Sequence, residues 1–325
     1  MSCRILIVAA EAGSVAYLRP LFERLKTRYE AGSWRVILVP GAVQAVRVWH
    51  VQDLPLLSAR PSEPNRVLND WTFDRLLSSA TAAPVEAAAW DVARRIGAKS
   101  SFFIDTWYGY ARRLATLNGP IEPDHVLVVD ARAAEEAAEH GIPAECIVIV
   151  GQPAWEGVRP LPPAPNEDVL FVSQPIARLY GAELGYDEGI AWQTLREARA
   201  LRPQLFGRLR YGVHPEQPAP DKGLVGDATV ETDCQTALRR SGTVVGMFSS
   251  LLTDALLATR RVVSLQPGSP ERDMCPLSRH GRIARVGCAD DLIDWLEHGS
   301  ESSGTLSADL HGSLDRLERH ILSDH

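Results

Sequence analysis

Five prolines crowd the middle of the chain: Pro153, Pro160, Pro162, Pro163 and Pro165 stand between Gln152 and Glu167. Proline fixes φ and has no N–H to donate, so neither a helix nor a central strand can run through this stretch. It reads as a stiff linker, and it divides the chain into two halves. On each side short apolar runs alternate with segments of helical period. In the first half the strand-like runs are Ile5 to Ala10, Trp34 to Val39, Leu54 to Ser58, Ser100 to Asp105, His125 to Val129 and Cys146 to Val150. In the second half they are Asp168 to Val172, Arg208 to Val213, Thr243 to Met247, Arg261 to Leu265 and Ile283 to Val286. Helical patterns at Tyr17 to Tyr29, Ala42 to His50, Pro84 to Ile96, Tyr108 to Leu117, Ala131 to His140, Gly189 to Ala200, Asp233 to Arg239, Ser250 to Thr259 and Asp290 to Leu296 separate them. Continuous apolar strands alternating with helices specify parallel sheets covered on both faces. The expected fold is α/β, with two doubly wound Rossmann-type domains facing a central cleft. The expected boundaries are 1–153 for the first domain, 154–166 for the linker, 167–305 for the second domain and 306–325 for a closing helix. That last helix is amphipathic, with Leu310, Leu314, Leu317 and Ile321 on one face.

The bulk numbers narrow the function. The 325 residues are 45% hydrophobic and 23% charged, and the formal net charge of −7 speaks against a nucleic-acid binder, which carries a basic stripe. Only Lys26, Lys99 and Lys222 are lysines, so arginine carries nearly all the positive charge. The cysteines Cys3, Cys146, Cys234, Cys275 and Cys288 are odd in number and never in C-x-x-C spacing, so neither a disulfide framework nor a zinc site is expected. No run approaches the roughly 20 apolar residues of a membrane span. A cytoplasmic enzyme is the expectation, and a homodimer is left open.

In open α/β sheets, ligands sit beyond the carboxyl ends of the strands. Two pairs occupy such positions in the second half: His214-Pro215, and Ser249-Ser250 at a helix start. An imidazole beside two hydroxyls suits a nucleotide phosphate. Gln174, which ends its strand, and Thr253 and Asp254, one turn into the Ser250 helix, are further candidates for the nucleotide and its ribose. In the first half, Asp105 ends a strand and is the candidate base. Glu11, Gly13 and Ser14 follow the first strand, and Arg112 with Arg113 follows Asp105; these could hold a glycan or small-molecule acceptor. There is no D-x-D pair at a strand end and no His/Asp cluster at ligand spacing, so no metal and no cofactor are expected.

Asp124-His-Val-Leu-Val-Val-Asp130, Gly141-Ile-Pro143 and Ile147 to Pro153 resemble the end of the first domain in GT-B proteins, the twin-Rossmann fold of glycosyltransferases and hydrolysing sugar-nucleotide epimerases. Tyr211-Gly-Val-His214-Pro215 and Gly246-Met-Phe-Ser249-Ser250 resemble the "HP" and "SS" motifs of bacterial sialyltransferases and polysialyltransferases. That resemblance implies a glycosyltransferase using a CMP- or CDP-linked donor, with His214 as leaving-group acid and the serines on the phosphate. The same families carry an acid-acid-glycine motif. Asp187-Glu188-Gly189 matches it in letters, but it lies in the second half just before a helix, where Asp187 reads as an N-cap. Two alternatives stand beside the transferase. One is a hydrolysing UDP-sugar 2-epimerase, whose family shows a His-Glu pair after the equivalent first-domain strand and Ser-Gly-Gly where Phe248-Ser249-Ser250 stands here. The other is a non-catalytic nucleotide-sugar binding protein.

Overall fold

The structure, a computed structural model, describes residues 3–9, 12–30, 32–38, 56–57, 68, 71–78, 84–116, 119–214, 217–218, 220–268, 272–299 and 310–322. The expected helix at Ala42 to His50 lies outside them, as do Glu11 and Pro215. The chain forms two compact units, one of residues 1–157 with 306–325, the other of residues 158–305.

The first unit is built on a seven-stranded sheet. Its strands, in chain order, are β1 (Ile5–Ala9), β2 (Trp34–Leu38), β3 (Leu56–Leu57), β4 (Arg75–Ser78), β5 (Lys99–Phe103), β8 (His125–Val128) and β9 (Ile147–Ile149); β6 (Ala115–Thr116) and β7 (Gly119–Pro120) form a separate hairpin. The order across the sheet is β3-β2-β1-β4-β5-β8-β9, and every pairing within it is parallel. The strand order reverses between β1 and β4, which makes that junction the switch point. β4 escaped the sequence reading. It has only four residues, Arg-Leu-Leu-Ser, and offers neither an alternating pattern nor a long apolar run. It lies buried between β1 and β5 all the same, paired to both.

Local chemistry explains most of the boundaries. The helix Pro84–Ile96 begins on proline, whose missing N–H costs nothing in a first turn, and stops before Gly97 at φ +70°. Asp130 caps Ala131–Glu139 by accepting from Ala133 N. The helix after β1 starts at Ala12 and runs to Arg28, so Gly13 and Ser14 form its first turn and not a preceding loop. Tyr110–Leu114 is shorter than expected because the chain turns straight into the β6–β7 hairpin. Pro153–Glu156, expected at the head of the linker, is a helical turn capped by Gln152 and packed on the helix Ala12–Arg28.

The C-terminal helix Ser313–Leu322 returns to this unit. Leu317 and Ile321 are buried as expected, whereas Leu310 and Leu314 are only half-buried. Polar groups hold the rest of the contact. The Glu318 carboxylate accepts from Arg24 Nη1 at 2.9 Å, Arg28 Nη1 at 3.1 Å and Tyr29 OH at 3.1 Å. Glu156 accepts from the backbone N–H groups of Gly312 and Leu314, at 2.8 and 3.0 Å.

The second unit holds a six-stranded parallel sheet of β10 (Val169–Val172), β11 (Leu209–Gly212), β12 (Thr229–Glu231), β13 (Thr243–Gly246), β14 (Arg261–Leu265) and β15 (Ala284–Val286). Its order is β12-β11-β10-β13-β14-β15. The reversal falls between β10 and β13, both buried along their whole length. β12 is an edge strand of three residues, two of them exposed, and its sequence has no apolar run to mark it. Buried Arg260 ties this unit together without a carboxylate. Its guanidinium donates to the carbonyls of Leu238 at 3.2 Å, Pro162 at 2.9 Å and Arg239 at 3.3 Å, joining the proline-rich stretch to the end of the helix Cys234–Arg239. Burial alone lowers its pKa.

Candidate functional site

The register of the second sheet aligns three strand ends. Val172 of β10 pairs with Gly212 of β11 on one side and Gly246 of β13 on the other. Gln174, His214 and Phe248 each stand two residues beyond that level. Both glycines allow neighbours to pack closely here. A Cβ on Gly212 would come within 2.8 Å of Cys234 Sγ, and one on Gly246 within 3.1 Å of Leu252. Burial pushes the Cys234 thiol up to about 11, so this sulfur acts as packing and not as a nucleophile.

Consecutive residues at the end of β10 fasten the two lips of the switch point. Gln174 Oε1 accepts from Phe248 N at 2.8 Å, which fixes the loop leading to Ser249. Ser173 Oγ donates to Gln217 Oε1 at 2.9 Å and accepts from Tyr211 OH at 2.9 Å. Burial pushes the Tyr211 phenol up, so it remains a donor at neutral pH. The His214 carbonyl accepts from Gln217 N at 2.9 Å. His214 is half-buried and has further contacts.

The Ser249-Ser250 pair divides its labour. Ser249 Oγ accepts from Leu251 N at 3.3 Å, and its carbonyl accepts from Leu252 N at 3.0 Å. Ser250 is exposed, already helical at φ −57° and ψ −25°, and makes no side-chain cap. The helix Leu251–Leu257 has seven residues, too short for its dipole to carry an anion unaided. Thr253 is buried, and Asp254 accepts from Gln235 Nε2 at 2.9 Å. Asp187 caps the helix Glu188–Leu201 by accepting from Ile190 N at 2.8 Å, as the sequence indicated.

In the first unit Asp105 lies just beyond β5 and is 5% exposed. Arg113 Nη1 donates to Asp105 Oδ1 at 2.6 Å. Of the two arginines after Asp105 it is thus Arg113 that turns inward, while Arg112 is exposed. Gln152 is fully buried and donates from Nε2 to the Asp105 carbonyl at 2.9 Å. Trp107 donates to Asp130 Oδ1 at 2.9 Å and stacks on Trp155 at 5.2 Å, with Tyr17 edge-on to Trp155 at 6.0 Å. Both tryptophans are core residues. One turn before Tyr17, Gly13 is exposed, while Ser14 is buried with no hydrogen-bond partner for Oγ.

Three further polar residues share in these networks: Ser173 and Gln152, just beyond β10 and β9, and Gln217, in the loop after β11. Their bonds run to positions 44 and 47 residues away, which local pattern does not reveal.

No protein-family model matches the chain, and no curated protein sequence matches it. Solved structures do. The UDP-GlcNAc 2-epimerase of Neisseria meningitidis bound to UDP-GlcNAc superposes with a TM-score of 0.68 at 11% identity, covering 99% of this chain and 100% of that one. The UDP-GlcNAc 2-epimerase of Methanocaldococcus jannaschii gives 0.65 at 11% identity, over 98% and 99%. The UDP-N-acetylglucosamine 2-epimerase of Rickettsia bellii gives 0.64 at 11% identity, over 99% and 96%. The chain therefore has the two-domain Rossmann-type, GT-B-like fold in which those enzymes are built. The comparisons overturn the expected glycosyltransferase with a cytidine-linked donor: the solved structures it resembles include several UDP-GlcNAc 2-epimerases, which favour the epimerase alternative. The His-Pro and Ser-Ser resemblance misled for a physical reason. Imidazole and hydroxyl groups at strand ends recognise a phosphate, and a phosphate carries no information about its base or about the reaction at the sugar. Among the described residues, no helix is long and apolar enough to cross a membrane.

Proposed function

We propose that the chain binds a UDP-sugar and acts on it as a hydrolysing 2-epimerase. One observation carries the reading: at the switch point of a GT-B-like second unit, His214, Gln174 and the Phe248-Ser249 loop stand at one level beyond three adjacent strands. The neighbour of Neisseria meningitidis was solved with UDP-GlcNAc, which supports this ligand class.

Inverting carbon 2 of such a sugar breaks its C–H bond. The proton is weakly acidic, so its loss is coupled to departure of UDP from carbon 1, which takes the bonding electrons. Water then adds at carbon 1, and carbon 2 regains a proton on the opposite face. The products are UDP and the free epimeric sugar. The reaction requires a base and a seat for the departing diphosphate. Asp105 is the proposed base, oriented by Arg113. His214 and the Ser249 and Ser250 hydroxyls are proposed to receive the diphosphate. Asp254 is proposed for the ribose, and Gly13 and Ser14 for the sugar.

Two measurements test this. UDP is expected to raise the melting temperature where CMP and CDP do not; stabilisation by CMP alone would overturn the nucleotide assignment. Incubation with UDP-GlcNAc in D2O is expected to release UDP and place deuterium on carbon 2 of the free sugar. Binding without turnover across a panel of UDP-sugars would reduce the protein to a nucleotide-sugar binder, a reading to which the tight Asp105–Arg113 pair already lends weight.

A further inference from the structure

The acid-acid-glycine run is not spent on capping alone. Asp187 caps its helix, but Glu188 turns elsewhere. Its Oε2 accepts from Ala177 N at 3.0 Å, and its Oε1 accepts from Gln217 Nε2 at 2.7 Å. Gln217 Oε1 in turn accepts from Ser173 Oγ, which accepts from Tyr211 OH. One continuous relay thus runs from the first turn of the helix Ile176–Tyr180, through Glu188, Gln217 and Ser173, back to β11 itself.

The relay has a mechanical effect on His214. The Gln217 N–H donates to the His214 carbonyl at 2.9 Å. β11 fixes the chain before His214, and the Gln217 side chain, held from both sides, fixes it after. We propose that Gln217 is the positioning residue that sets the His214 imidazole for the diphosphate, and that Glu188 and Ser173 act through it. This rests on the UDP-sugar reading for its ligand, but the relay can be judged without one.

The polarity of the bonds makes it separable from packing. Gln217 donates to Glu188 and accepts from Ser173. Gln217→Glu removes the donor and sets a carboxylate against the Glu188 carboxylate, so residue 217 is pushed off its place beside Glu188. Combining Gln217→Glu with Glu188→Gln restores a donor facing an acceptor at nearly the same volume.

Histidine-labelled protein gives the first readout, from the ring resonances of His214, assigned by their loss in His214→Ala. These are expected to move in Gln217→Ala, Gln217→Glu and Ser173→Ala, and to return in the Gln217→Glu, Glu188→Gln pair. The second readout is UDP affinity by calorimetry, expected to fall about tenfold in Gln217→Glu and to recover in the pair. Ring resonances unmoved in all three single variants, or no return in the pair while each protein melts as a folded domain, would overturn the relay. Failure of wild-type protein to bind UDP would overturn the nucleotide reading, while the resonances still decide the relay.

Discussion

The carboxyl edges of the two sheets solve different problems. In the second unit the edge is made of amides and hydroxyls near one imidazole, held by Phe248 N, by Ser173 and by the Glu188 carboxylate. In the first unit it is an ion pair, Asp105 with Arg113, braced by Gln152 and backed by stacked indoles. On the function proposed above, the second edge would offer a diphosphate its donors and the first would offer a carboxylate to a proton on carbon, so that one doubly wound topology would carry a binding edge in one unit and a reacting edge in the other.

The largest test of that contrast is Asp105→Asn. Turnover of UDP-GlcNAc is expected to fall by about 10²–10⁴-fold, with UDP affinity unchanged by calorimetry. A parallel loss of affinity would erase the distinction between the edges. Next comes Arg260→Met, which leaves three carbonyls of the second unit without their donor. Urea denaturation is expected to show a loss of about 2–3 kcal/mol confined to that unit. An equal loss in the first unit would mean that the two do not unfold as separate bodies.

Gln174→Ala releases the Phe248 loop. UDP affinity is expected to weaken about tenfold, with kcat at saturating substrate nearly preserved. A fall in kcat alone would move Gln174 to the reacting side of the comparison.

The smallest effect concerns acid. Burial alone would raise the Asp124 carboxyl, but hydrogen bonds from the Ser100 N–H and hydroxyl, with the Lys99 ammonium, outweigh it and hold the group below the usual carboxylate range. A carboxyl lowered in the folded state stabilises above its unfolded pKa, about 3.9, and that contribution fades as pH falls through the folded value. Asp124→Asn is therefore expected to flatten the drop in melting temperature of the first unit between neutral pH and about pH 3. An unchanged slope would assign its acid sensitivity to other carboxylates.

What the sequence disclosed follows from the range of the interactions involved. Asp187 as a cap, the start and stop of Pro84–Ile96 and strand Arg261–Leu265 were legible because a cap or an apolar run is written within a few residues. β4 was not, although it makes the first switch point, because four residues buried by their neighbours need no pattern of their own. Among the candidate residues, His214, Ser249 and Gln174 in the second unit and Asp105 in the first were legible by their position at strand ends. Their partners were not, because Gln217 meets Ser173 only after β11 has folded beside β10. The choice between Arg112 and Arg113 was likewise a matter of which side of a single helical turn faces Asp105.

The return of Ser313–Leu322 to the first unit has a consequence for biogenesis. Residues 1–157 emerge from the ribosome first, yet the carboxylate that gathers Arg24, Arg28 and Tyr29 arrives at position 318, after the whole of the other unit has been made. The half synthesised earliest is therefore completed last, and a nascent chain halted before that point would carry a finished second unit behind an unsealed first one.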